Sequence, residues 1–115
     1  MSKLIEVTDA TFEAEVLKSP VPVAVDFYSD QCGPCRVLKP ILESLAEAIG
    51  DKAKIVAVNV AENERLVIDH GISALPTLIV FYPVTDGNGK EVRRMVGLSE
   101  LGELRKALGG DRVPP

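Results

Sequence analysis

Tryptophan is missing from this 115-residue chain, histidine occurs once and cysteine twice. Two cysteines and one histidine cannot complete a four-ligand structural zinc site within one chain, so zinc would require a dimer sharing two cysteine pairs. No metal and no bound cofactor is expected. Two cysteines are also too few for the disulfide framework of a small secreted domain. Positive charge is in deficit: 13 Lys and Arg stand against 17 Asp and Glu, for a net charge of −4. The basic residues come in pairs, Arg93 with Arg94 and Arg105 with Lys106, not in a stripe that could track phosphates, which argues against nucleic acid as a partner. No window approaches the roughly 18 to 20 apolar residues of a membrane helix, and "MSKLIEVTDA" lacks the charged and apolar regions of a secretory signal. The expected address is the cytoplasm, with no membrane partner. In such a reducing compartment a close cysteine pair is catalytic or metal-binding more often than structural.

What is present reads as alternating strands and helices. A chain of this length can bury a core without staples, so one domain is expected over residues 1–110, followed by a flexible tail, 111–115. Leu4, Ile5 and Val7 predict a short first strand, and Thr8 a cap for a helix with Phe12 and Val16 on one face. "PVAVDFY" (22–28) and "AKIVAVNV" (53–60) predict buried strands. Between them Val37, Leu38, Ile41, Leu42, Leu45, Ala48 and Ile49 recur at helical spacing, with Pro40 predicting a kink and Gly50 a left-handed cap. Asn63 is expected to cap a short helix closed by Gly71. "PTLIVFY" (76–82) and "KEVRRMV" (90–96) form a hairpin around "PVTDGNG", and a last helix covers 99–108. The order β-α-β-α-β-α-β-β-α implies right-handed parallel crossovers plus an antiparallel hairpin. That is an α/β protein: a three-layer α/β/α sandwich with a central mixed five-stranded sheet and four helices.

The chemistry collects where the second strand meets the second helix, in "VAVDFYSDQCGPC" (23–35). A thiol is a useful nucleophile as its thiolate, and the free amides and partial positive charge of a helix N-terminus stabilise that anion. Cys32 occupies that position. Gly33 lets backbone pass close to a substrate, and Pro34 suits a first helical turn, where its missing N–H would lack a partner anyway. Cys35, one turn on, can reach Cys32 and resolve a mixed disulfide. Asp26, on a strand that reads apolar on both sides of it, would be dehydrated and raised in pKa, as a proton carrier for Cys35 needs to be. The alternative is an acid that caps a turn or pairs with a lysine at the sheet edge. His70, just before Gly71, is expected to face a helix C-terminus and its dipole, not a site.

Across residues 4 to 108 the chain resembles the thioredoxin family, in "VDFYSDQCGPCRVLKPILESLA", "VAVNV" followed by Asn63, "GISALPTLIVF" and "VGLSELGEL". The resemblance implies the thioredoxin fold and dithiol-disulfide exchange. Thioredoxins are themselves a standard case of a lowered cysteine pKa and a reducing potential, so both properties come with the resemblance and not from the residues. By the same resemblance Cys32 attacks, Cys35 resolves, Asp26 accepts the proton and Pro76 follows a cis bond. Leu75 then pairs with an extended substrate, and Gly71, Ala74 and Gly97 line the docking rim.

Three departures from the family pattern stand out. Tyr28 and Gln31 occupy positions where tryptophans are usual; Gln31, beside the attacking sulfur, either alters partner choice or is a tolerated surface change. Ala57 replaces a lysine that in many relatives tunes the buried acid, and Lys39, at i+4 from Cys35, either compensates or is simply solvated. The hairpin at 83–90 is longer than usual and is expected to be neutral. The expected function is a monomeric protein-disulfide reductase, acting on disulfide-containing proteins and re-reduced by a thioredoxin reductase. A more oxidising exchanger or isomerase, or a binding module with dispensable thiols, is the alternative.

Overall fold

A computed structural model describes residues 4–98 and 101–109. Five strands, β1 (Ile5–Glu6), β2 (Val23–Tyr28), β3 (Lys54–Asn59), β4 (Thr77–Tyr82) and β5 (Lys90–Val96), form one sheet in the order β1-β3-β2-β4-β5. β1 and β2 run parallel to β3, whereas β4 is antiparallel to both β2 and β5. The sheet is therefore mixed, as the element order predicts. Its helices are a π-helical segment, Glu13–Leu17, and the α-helices α1 (Gly33–Ile49), α2 (Glu64–His70) and α3 (Leu101–Ala107).

Alternation along β2 divides the interior in two. Val23, Val25 and Phe27 face one way, into a core with Phe12 and Val16 of the π-helical region, Leu66 of α2 and Phe81. Ala24 faces the other way, into a core with Leu38 and Leu42 of α1, Met95 and Leu104 of α3. Asp26 and Tyr28, at even positions like Ala24, share the α1 face. Helices on both sides make the three layers.

Several local details depart from the sequence reading. The first helix is wound with wide turns, Lys18 N–H donating to Glu13 C=O, and Phe12 precedes it without a side-chain cap. Thr8 contributes its backbone carbonyl to Phe12 N–H, not its hydroxyl as a cap. Gly50 ends α1 with φ 64° and ψ −130°, a glycine conformation outside the left-handed helical region, and continues into a 3₁₀ turn, Gly50–Lys52. Gly71 does take the left-handed conformation that closes α2. Asn63 precedes α2 but its side chain does not cap it. Its Nδ2 donates to Asn59 C=O and its Oδ1 accepts from Asp9 N–H, while Asp9 Oδ1 accepts from Leu66 N–H. A residue more than fifty positions away thus supplies the cap. The predicted helix start at Ser99 and the tail 111–115 lie outside the described residues. Among the described residues no helix is long and apolar enough to cross a membrane.

Candidate active site

The end of β2 delivers the chain to a tight approach before α1. Gln31 N–H donates to Ser29 Oγ, Cys32 N–H to Ser29 C=O, and Arg36 Nη2 to Asp30 C=O, so the segment 29–32 is tied down on both sides of Cys32. Cys32 is the N-cap of α1, with Gly33 and Pro34 opening the first turn. Cys32 Sγ accepts from Cys35 N–H at 3.1 Å, so one of the free amides of the helix end is aimed at the sulfur. The two cysteines form a disulfide. Cys32 is half-buried and Cys35 is buried, 4 % exposed, so an incoming group meets the Cys32 sulfur first.

Asp26 lies beneath this turn, 3 % exposed, and its Oδ1 has no hydrogen-bond partner. Burial, helped by the Glu6 carboxylate, pushes its pKa up to about 7. Among the described residues its Oδ1 caps no turn and pairs with no lysine. It lines a cleft of about 480 Å³ together with Cys35, Ala57, Glu6, Tyr28 and Lys39. Lys39 is exposed at this cleft. Tyr28 occupies the position expected of it, but its hydroxyl donates to Glu6 Oε2 at 2.8 Å, and its partial burial first, then that bond, raise its own pKa.

The second group of sequence-predicted residues gathers at the same end of the sheet. Phe27 is paired with Thr77, and Thr77 with Val96, so Pro76 and Gly97 adjoin the end of β2; Gly97 N–H donates to Pro76 C=O. The Leu75–Pro76 bond is cis. Thr77 Oγ1 donates to Ala74 C=O at 2.6 Å, fixing the turn before β4. Gln31, Gly33, Pro34, Gly71 and Ala74 are exposed, Leu75 and Gly97 half-buried, Pro76 buried. Exposed Ile68 adds an apolar group on α2, next to this region in sequence. His70 stays out of the site. Its Nδ1 lies 3.0 Å from Leu66 C=O, and its ring packs with Phe12, Phe27 and Phe81 on the opposite face of the sheet.

Glu6 is the residue that reading the sequence missed. As one polar position in "LIEV" it carries no signal of its own, and only the strand register brings it to the acid. The arrangement offers an accessible sulfur at a helix N-terminus, a buried sulfur behind it and a buried acid with one open oxygen, which is the equipment for two-step thiol-disulfide exchange.

Comparison with known proteins agrees with the geometry. Residues 3–109 match the family model described as Thioredoxin. The chain is 42 % identical over 108 residues to thioredoxin 1 of a Nostoc species, covering 94 % of this chain and 96 % of that one. It is 42 % identical over 97 residues to thioredoxin 1 of Synechococcus elongatus, covering 84 % and 86 %. With the thioredoxin of Rickettsia bellii it shares 40 % over 98 residues, 85 % of this chain and 89 % of the relative.

Proposed function

The chain belongs to the thioredoxin family, and from that premise we propose how its residues divide the work of thiol-disulfide exchange and which partners they meet. The protein is a thiol-disulfide oxidoreductase of a protein-disulfide reductase family. In the reduced form Cys32, as a thiolate, attacks a disulfide sulfur of a protein substrate. One substrate sulfur leaves as a thiolate, and the other is held in a mixed disulfide. Cys35 gives its proton to Asp26 and attacks the Cys32 sulfur. The second substrate thiolate departs and the Cys32–Cys35 disulfide remains. Two electrons have passed to the substrate, and no bound cofactor takes part. A thioredoxin reductase then restores the dithiol.

Cys32, Cys35 and Asp26 are the catalytic residues in this reading. Gln31, Gly33, Pro34, Ala74, Leu75, Pro76 and Gly97 form the surface on which a disulfide-bearing segment docks. The protein works as a monomer in the cytoplasm. What supports this most is the pairing of a half-buried Cys32 at a helix N-terminus with a buried Cys35 and a buried Asp26 whose Oδ1 has no partner.

Two cysteine variants test it. Cys32→Ser abolishes multiple-turnover reduction of a protein disulfide. Cys35→Ser accumulates a covalent enzyme-substrate disulfide, seen as an added mass that disappears with dithiothreitol. Turnover surviving in Cys32→Ser, or no adduct with Cys35→Ser, overturns the assignment.

A further inference from the structure

Ala57 pairs in register with Glu6 of β1 on one side and Asp26 of β2 on the other. In-register neighbours in a sheet point to the same face, so two carboxylates flank a single methyl group on the side covered by α1. Two strand spacings put their Cα atoms about 10 Å apart. On β3 the residue between them is only an alanine, and both carboxylates line the same cleft. Glu6 does not swing freely over it. Tyr28, which shares a face of β2 with Asp26, donates its hydroxyl to Glu6 Oε2, so the Glu6 carboxylate leans back across Ala57 toward the strand that carries Asp26.

From this arrangement we infer that Glu6 is a positioning residue for the exchange reaction: Tyr28 holds its carboxylate over the gap at Ala57, so that its negative charge is set against the Asp26 carboxyl. The inference rests on the proposal that Asp26 is the proton acceptor for Cys35. The upward push that Glu6 exerts on Asp26 agrees with it, although burial is the larger cause. Other charges face the same cleft. Arg36, Lys39 and Glu43 come from α1, Asp30 from the turn after β2, and β3 contributes only Ala57. Arg36, Lys39 and Asp30 are exposed, where solvent and salt screen them, and Glu43, half-buried, stands about two turns of α1 beyond Cys35. Glu6, also exposed, differs in being fixed by a hydrogen bond to the strand that carries Asp26. The consequence for the reaction is a pH setting: with Glu6 ionised, Asp26 becomes an effective base for the Cys35 proton at a higher pH than it otherwise would.

The test is direct titration of the Asp26 carboxyl in the oxidised protein, by carbon-13 NMR, with the rate of the Cys35 resolution step measured across the same pH range. Glu6→Gln keeps an oxygen that can accept from Tyr28 and removes only the charge. It lowers the Asp26 midpoint by about 0.5 pH unit and moves the pH profile of resolution down by the same amount. Tyr28→Phe frees the carboxylate and gives a smaller shift in the same direction. In an Asp26→Asn background Glu6→Gln leaves the resolution profile unchanged. An Asp26 midpoint that stays put in Glu6→Gln overturns the inference whatever the kinetics show. If Asp26→Asn alone fails to slow resolution, the proton-acceptor reading falls instead, and the NMR titration still decides whether Glu6 governs Asp26.

Discussion

Asp26 weakens the fold it serves, and the pH at which it does so follows from where its proton sits. Its folded midpoint is raised to about 7 from 3.8, by burial first and the Glu6 charge second. Below about pH 4 the acid is protonated both folded and unfolded and carries no pH-linked cost. As pH rises toward 7 the unfolded chain gives up the proton while the folded protein keeps it, so stability falls. Above 7 the loss levels off. At about 1.4 kcal/mol for each pH unit between the two midpoints, the plateau is about 4 kcal/mol. Asp26→Asn carries no such charge. Urea denaturation at pH 4, 6 and 8 is expected to show the variant gaining on the wild type as pH rises; a gap independent of pH would contradict the buried-acid account.

Single elements depend on contacts remote in sequence, and α2 shows it most directly. Seven residues make a helix with little stability of its own. Its first-turn amide at Leu66 is satisfied by Asp9, and the same loop is latched by Asn63 to Asp9 N–H. Asp9→Ala removes the cap and is expected to cost about 1 kcal/mol in urea unfolding, with exchange competence retained. Local pattern points to Asn63 as this cap because an asparagine stands at the right place before the helix. Local pattern carries the existence, type and order of the elements: β-branched runs mark β2 to β4, and the spacing of Leu38 and Leu42 marks α1. Cys32, Cys35 and Asp26 were legible for a related reason, since a carboxylate inside "VAVDFY" and a CGPC turn announce themselves within a dozen residues. Glu6 and Asp9 were not. Their partners are set by the pairing of β1 with β3 and by the packing of the loop before α2, which no short window contains. The wide turns of the first helix were equally invisible, because Phe12 and Val16 at i, i+4 fit an α-helix as well as what the chain adopts.

At the scale of the whole molecule, redox state and stability are linked. The disulfide closes a loop of four residues, so its effect on unfolded-chain entropy is modest, about 2 kcal/mol by loop-closure arithmetic. The oxidised protein should therefore melt several degrees above the reduced one, read by calorimetry with and without a thiol-free reductant. Equal melting temperatures would mean that the reduced site recovers the difference by other contacts. The division of the interior by β2 has a consequence of another kind. A slip of one residue in its pairing would carry Asp26 to the far side of the sheet, among Phe12, His70 and Phe81, and bring Phe27 round beneath Cys35. Misaligned chains would bury a carboxylate in an aromatic nest away from the thiols, so the acid proposed to take the Cys35 proton would also penalise a misassembled sheet.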